Sequence, residues 1–335
     1  MDDSRVEVVP VAIFPPDRLS AERLKLIDGV TIRKNSGRIA AEMRAEVEHF
    51  RASIKLYTPV IATHLLIVEE TRYIEGLAAR LKRENFSIGA QHVMAGDIAR
   101  QAVISLTLLG RLHWQYGMLH HFRRLPSGEL KRAYGMTNLP IVQVSTRLQL
   151  SMAYTVVEPH QLRAVFVELD RYYRADHWWS DQISVALGYL FSALTTTSGE
   201  LAFAALCMAL EAMAHSPKTE IMHTLAVRCS WIIGKDAAER EAVYRNVRRL
   251  YDLRSKIVHG RTQPKKGPIH GDTMLVTAKR SAVPRRDLSL LLDITCRVVL
   301  GVLKDRQLRT IYQTKQSEDN TQSQLDSHFL RLILR

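Results

Sequence analysis

Two side chains close together in the stretch from Leu250 to Gly260, the guanidinium of Arg254 and the imidazole of His259, are of the types that phosphoryl chemistry uses. Val243, Val247, Leu250 and Ile257 follow one another at spacings of 4, 3 and 7, the seam of a helix packed on another, and Arg254 fills the vacant seam position. A guanidinium cannot shed its charge, so on an apolar stripe it must meet a carboxylate, reach water, or face a cleft that an anion enters. On an unbroken helix the offset of five residues puts His259 about 140° around the axis from Arg254. A helix that ends before Gly260 would let His259 turn back. Two readings follow. In one, Arg254 has a structural carboxylate partner and His259 caps the last helical carbonyls. In the other, Arg254 faces a cleft that an anion enters, with His259 nearby.

A second anomaly is Glu211, which interrupts LAFAALCMALEAMAH, a segment apolar nearly all round and therefore expected to be buried. An unpaired buried carboxylate is costly or takes up a proton, so it needs a partner. Arg228, inside LAVRCSWIIG on the next helix, and Arg254 are the natural donors. A pair of Glu211 with Arg228 would fix two helices in register; alternatively Glu211 orients catalytic groups. Tyr251, beside Arg254, either stacks a base or belongs to the core.

These residues lie in the most basic part of the chain. Between Glu239 and Arg286 there are 13 Lys or Arg against 4 Asp or Glu, most of the whole chain's excess of +13. The loop RTQPKKG, where Pro and Gly forbid a helix, presents Arg261, Lys265 and Lys266, with Lys256 just upstream, either to phosphates or as a solvated face. A pI near 9.8 favours an anionic partner, nucleic acid first. No Walker loop, GxGxxG, GxSxG or HExxH occurs, and the adjacent pair His120 and His121 reads as a surface pair, so neither metal nor cofactor is expected. Cys207, Cys229 and Cys296 form no CxxC and leave an odd thiol, which suits small core residues in a reducing cytoplasm. The acidic start MDDSRVEVVP carries no readable secretory signal. The uncharged run from Gln182 to Gly199 has too short an apolar part to span a bilayer, so a buried helix and no membrane partner are expected.

The elements that must position these groups divide the chain of 335 residues into about two domains. The expected fold class is α+β: a mixed N-terminal domain with a sheet over 1–158, and an all-α helical domain over 159–312. A polar linker and a short amphipathic end, HFLRLILR, follow over 313–335. In the first part VEVVPVAIF, LKLIDGVTIR around an Asp-Gly turn, and VIATHLLIVEE read as strands, as does the alternation from Ile141. Glu42 to Arg51 and Thr71 to Arg83 read as short helices. In the second, helices are expected over Gln161 to Arg174, Ser180 to Leu194, Gly199 to His215, Thr219 to Ile233, Asp236 to Val258, and Asp287 to Asp305. Asp236 with Glu239 is spaced as a capping box, Gly234 stands where a left-handed residue would end a helix, and Gly260 ends the longest one.

LYDLRSKIVHG, from Leu250 to Gly260, resembles the R-x4-H signature of the HEPN superfamily, most closely its Apea-like branch. MALEAM with Glu211, EIMHTLAVRCSWIIG with Arg228, and the capping-box helix precede it in the family's order, so the resemblance covers about 160 to 310. It implies a helical bundle that dimerises so that two such motifs share one cleft. Since one R-x4-H supplies too few groups and the seam through Val243, Val247 and Leu250 offers an apolar face, the Asp236 to Val258 helix is expected near the two-fold axis. It implies a metal-independent endoribonuclease, of the kind found in phage-defence or toxin systems. Carried over residue by residue, His259 is the general acid or base, Arg254 holds the scissile phosphate, and Ser255 is the polar residue after the Arg, where many members carry Asn, Asp or His. RNA is then the substrate, a homodimer the active form, and the N-terminal domain the sensor of a phage-derived or cellular trigger. A catalytically silent HEPN module for dimerisation or for nucleotide or partner binding is the alternative, and a basic DNA-binding protein a third. On the catalytic reading Arg254 stands among like charges, Lys256, Arg248 and the partner's Arg254, so that Arg254→Met would relieve repulsion.

Replacing Lys265 and Lys266 by Ala is expected to weaken RNA binding and flatten its salt dependence while leaving the cleavage step intact. An unchanged slope of affinity against salt would return both lysines to the status of solvated surface.

Overall fold

The computed structural model describes residues 5–14, 18–19, 21–36, 63–69, 95–125, 127, 130–143, 155–174, 182–214, 221–259, 283–313 and 318–333. The fold is α+β, in two compact units: Met1–Val144 with Ala153–Trp178, and Ser145–Met152 with Trp179–Arg335.

The first unit is built on β1 (Arg5–Phe14), β2 (Arg23–Ile27), β3 (Val30–Lys34), β4 (His64–Glu69), β5 (His113–Arg124) and β6 (Leu130–Gln143). They form one six-stranded sheet in the order β2-β3-β4-β1-β5-β6, with every neighbouring pair antiparallel. The interior strands β1 and β4 are rich in Val, Leu and Ile, and all six residues of β4 are buried. Val6 and Val8 pack with Leu65, Ile67 and Phe122. Pro10 cannot donate to a ladder, and it lies where the β1–β5 register shifts, between Val8 and Val11. The expected Asp-Gly turn joins β2 to β3, with Gly29 at φ 75°, a conformation that L side chains rarely adopt.

Helix α1 (Ala95–Gly110) lies against β1 and β5, and α2 (Pro159–Arg174) against α1 and β2. The Trp114 indole donates to Thr107 Oγ1 at 2.8 Å, which fastens the start of β5 to α1. Arg111 takes a left-handed φ of 55°, and its guanidinium donates to the Thr107 and Leu108 carbonyls that the helix end leaves open. Thus α2, read from the sequence as the first helix of the helical domain, packs in the sheet unit. The expected helices over 42–51 and 71–83 lie outside the described residues, and of the alternation from Ile141 only the first three residues, the end of β6, lie in a described strand.

The second unit contains α3 (Gln182–Thr195), α4 (Gly199–Ala214), α5 (Ile221–Ile233), α6 (Ala237–Val258), α7 (Arg285–Lys304), α8 (Arg306–Gln313) and α9 (Glu318–Ile333). α4 and α7 are its centre: α4 packs on α3, α5, α6 and α7, and α7 also on α3, α5, α6 and α8. A Cβ on Gly301 would stand 2.4 Å from Ile232 Cγ2, so glycine sets how closely α7 crosses α5. Asp236 caps α6 as expected, accepting the Glu239 N–H at 2.8 Å, while the Glu239 carboxylate reaches back to the Lys235 N–H at 3.0 Å. Gly234 has a different reason from the expected one. Its φ is not left-handed; a Cβ there would meet Arg240 Cγ at 2.5 Å and the Ser230 carbonyl at 2.6 Å. The stretch read as a polar linker is helical from Glu318, and α9 buries Thr321, Leu325, His328 and Phe329 on one face. Among the described residues no helix is long and apolar enough to cross a membrane.

The first unit carries a pH dependence of its own. His64 is 1% exposed; burial above all, and then Lys34, holds its pKa down at about 4, against a smaller opposing effect of Glu22. Between the ordinary value of 6.5 and about 4 the unfolded chain takes up the proton and the folded chain does not. Stability is therefore full above about pH 6.5 and falls as pH drops towards 4, by up to about 3 kcal/mol. Urea unfolding at pH 7 and at pH 4.5 should show this loss, and His64→Gln should flatten it; an equal loss in the variant would assign it to other groups.

Candidate functional site

The last turns of α6 bring Tyr251 and Arg254 against Glu211 of α4. Arg254 Nη2 lies 3.4 Å from Glu211 Oε1, with both side chains 29% exposed. The guanidinium carbon stands 5.3 Å from the centre of the Tyr251 ring, close enough for a cation–π contact. Burial, and then the hydrogen bond and charge of Glu211, push the Tyr251 phenol up to about 12, so it remains a proton donor at neutral pH. Cys207, one turn before Glu211 on α4, has its thiol pushed up to about 12 by burial and by Glu211, which leaves it unreactive. The sequence reading passed over Cys207 as a neighbour of this cluster, although its spacing of four from Glu211 places both on one helix face.

Of the two partners weighed for Glu211, Arg254 is the one that meets it. Arg228 is 2% exposed and pairs instead with Asp326 of α9 at 2.6 Å, donates to the Ala214 carbonyl, and has its guanidinium carbon 5.6 Å from the centre of the Phe329 ring. Glu211 is also less buried than its apolar surroundings implied. A stripe of α4 reaches the surface, with Leu201 64% and Met208 37% exposed, and Glu211 continues it. Among the described residues of one chain, the close contacts of the Arg254 guanidinium are the Glu211 carboxylate and the Tyr251 ring.

His259 follows α6 directly, with φ −87° and ψ 11°, and its N–H donates to the Ser255 carbonyl at 3.1 Å. The helix thus ends at Val258, before Gly260 as read, and His259 extends its hydrogen-bonding pattern by one residue. Ser255, Lys256 and His259 are exposed, while Arg254 faces α4. Val243, Val247 and Leu250 are buried within the chain, where α6 packs on α5, α4 and α7, so this seam is not a free face for a second copy. Val258, one turn beyond Arg254, is 55% exposed. Arg261, Lys265 and Lys266 lie outside the described residues.

A second polar group was missed. His223 Nδ1 and Tyr244 Oη lie 3.0 Å apart, and Arg248 donates to the same hydroxyl at 3.4 Å. Tyr244, Arg248, Ser255 and His259 are spaced by 4, 7 and 4, a helical stripe that was legible in the sequence. Among the described residues no three His, Cys, Asp or Glu side chains converge as metal ligands would. No family model, curated protein or solved structure matches the chain.

The two arginines differ in what their loss exposes. Asp326→Ala leaves a guanidinium that is 2% exposed with the Ala214 carbonyl and Gln322 Oε1 as acceptors but without its counter-charge, at a cost of about 3 kcal/mol. Arg254→Met removes the cation from a carboxylate that is 29% exposed, with Oε1 buried, at a cost of about 1 kcal/mol instead of relieving strain. Thermal melting should rank wild type above Arg254→Met and Arg254→Met above Asp326→Ala. A melting temperature of Arg254→Met above wild type would restore the repulsive reading.

Proposed function

We propose that the protein is a metal-independent endoribonuclease of the HEPN type. The observation that carries this reading is a partly exposed guanidinium five residues before an exposed histidine at the end of the same basic helix. Arg254 offers its charge to a non-bridging phosphate oxygen, exchanging Glu211 for substrate. Its partial exposure lets it do so, whereas Arg228, enclosed and paired, serves the fold. Glu211 and Tyr251 are positioning residues that hold the guanidinium between visits of substrate.

The nucleophile belongs to RNA. The 2′-hydroxyl gives up its proton and bonds to phosphorus; the bond to the 5′-oxygen breaks, and that oxygen takes a proton. A 2′,3′-cyclic phosphate and a 5′-hydroxyl result. One imidazole can serve in each protonation state, so His259 acts as general acid or base and Arg254 stabilises the phosphorane charge. Ser255, next to Arg254 in sequence, is the neighbouring polar group. Arg248 and Lys256 on the exposed faces of α6, with Arg261, Lys265 and Lys266 after it, supply the backbone track.

Because an offset of five residues on one helix sets Arg254 and His259 about 140° apart around the axis, a site that uses both on one phosphate is completed by a second copy. Met208 and Val258, exposed on either side of the Arg254–Glu211 pair, offer that copy an apolar contact in place of the buried α6 seam. The sheet unit is then the sensor of a cellular or phage-derived trigger, and the setting is the cytoplasm, which suits three free, buried cysteines. A second reading, a silent HEPN module, is favoured by the fact that Arg254 already has a carboxylate partner.

Incubation with RNA decides between them. Cleavage should survive EDTA and leave 2′,3′-cyclic phosphate ends, and sedimentation should give about twice 38.1 kDa. His259→Ala should abolish cleavage with the melting temperature unchanged, because its side chain is exposed. Loss of activity on chelation, 3′-hydroxyl ends, or an equally active His259→Ala would overturn the mechanism. A wild-type protein inert towards RNA would favour the silent module.

A further inference from the structure

Away from the end of α6, helices α8 and α9 enclose a cleft of about 580 Å³, a size common among small-ligand sites. Its lining carries two charged side chains, Arg306 at the start of α8 and Arg331 in the last turn of α9, and both are cationic. Among the described residues neither guanidinium has an acidic partner. Arg331 Nε donates to the Ser327 carbonyl at 3.1 Å, which lays the guanidinium along α9.

The cleft also has a buried polar wall. His328, which lines it, is 5% exposed; its Nδ1 is 3.1 Å from Gln307 Oε1, and its buried Nε2 has no hydrogen-bond partner. The nearest acidic oxygen, Asp305 Oδ2, is 3.6 Å from that nitrogen. The other oxygen of Asp305 is committed to capping α8, accepting the N–H groups of Gln307 at 2.8 Å and Leu308 at 3.0 Å. Burial disfavours the imidazolium of His328, Asp305 opposes that effect, and Arg331 adds to it. Asp305 is thus the acidic group beside the cleft's buried wall, while the charged side chains that line the cleft itself are Arg306 and Arg331.

Two forked guanidiniums on opposite helices, with the hydroxyls of Ser323 and Ser327, present more donors than the two oxygens of a carboxylate can accept. A group with three terminal oxygens and about two negative charges matches them. We propose that this cleft binds a small molecule bearing a phosphate monoester, held between Arg306 and Arg331, so that the ligand joins α8 to α9. The site is independent of the ribonuclease reading. It uses neither Arg254 nor His259, and its test is a binding measurement.

Inorganic phosphate and ribose 5-phosphate, each titrated at constant ionic strength into the full-length protein, are the probes, with chloride and ribose as controls. Both phosphates should bind saturably and raise the melting temperature, ribose should not, and ribose 5-phosphate should bind more tightly than phosphate. The double variant Arg306→Gln with Arg331→Gln should weaken both at least tenfold while the unliganded melting temperature holds, since both residues are exposed. In Arg254→Met the binding event that the double variant loses should remain, whatever a second phosphate at Arg254 contributes in the wild type. Absence of saturable phosphate binding, or wild-type affinity in the double variant, would overturn the proposal. A loss confined to Arg254→Met would move the phosphate to the α6 site and overturn it equally.

Discussion

A charge that enters a helical core must be answered there, and among the described residues of the helical unit four arginines are answered from another helix. Apolar packing alone would not settle how α4 sits, because it is hydrophobic on most of its circumference and tolerates rotation. The ion pairs remove that freedom. Arg228 with Asp326 ties α5 to α9, Arg249 with Asp287 at 2.8 Å ties α6 to α7, and Arg254 with Glu211 ties α6 to α4. Arg297 of α7 meets Glu239 in the first turn of α6 and also donates to the Ile233 carbonyl that ends α5, at 2.9 Å. One cation thus closes the corner between three helices, and with the Lys235 N–H it holds the Glu239 carboxyl below its usual range.

The same rule separates structural from available charge. Arg228 has 2% of its side chain in contact with solvent and cannot exchange partners without unpacking α9. Arg254, at 29%, can. Its carboxylate partner is equally exposed, so separating the pair costs little, and the Tyr251 ring supports the guanidinium whichever anion it meets. Function on this account depends on a pair that is weak by position, next to pairs that are strong by position.

Much of the helical unit was legible because its sequence keeps one period per element and marks its ends. The Asp236 cap, the apolar α4 and the seam of α6 needed no tertiary information. The Arg254–Glu211 pair was legible as one of two pairings, since the demand for a counter-charge is visible in sequence while the distance is not. What stayed hidden has physical causes. In β6 and its partner β5 the register shifts twice, between Tyr116 and Met118 and between His120 and Phe122, and each shift disturbs the alternation that marks a strand. Helix α1 hides its period because polar Ser105 and Thr107 are buried with the rest, their hydroxyls donating to carbonyls one turn back. Helix α9 buries a threonine and a histidine on its inner face, so its composition reads as linker, and with it the partner of Arg228 was lost to view. Gly234 was placed at the right position for the wrong reason, because close approach of Arg240 and a positive φ both select glycine.

The central claim is that Glu211 and a substrate phosphate compete for Arg254. Binding of an RNA with 2′-deoxy substitution, which cannot be cut, tests it when measured for wild type, Glu211→Gln, Arg254→Met and the double variant. Competition predicts that Glu211→Gln tightens binding by about threefold to tenfold, a gain of about 1 kcal/mol, and that the gain vanishes when Arg254 is Met. Binding that Glu211→Gln leaves unchanged or weakens, or a gain that persists without Arg254, would contradict the account.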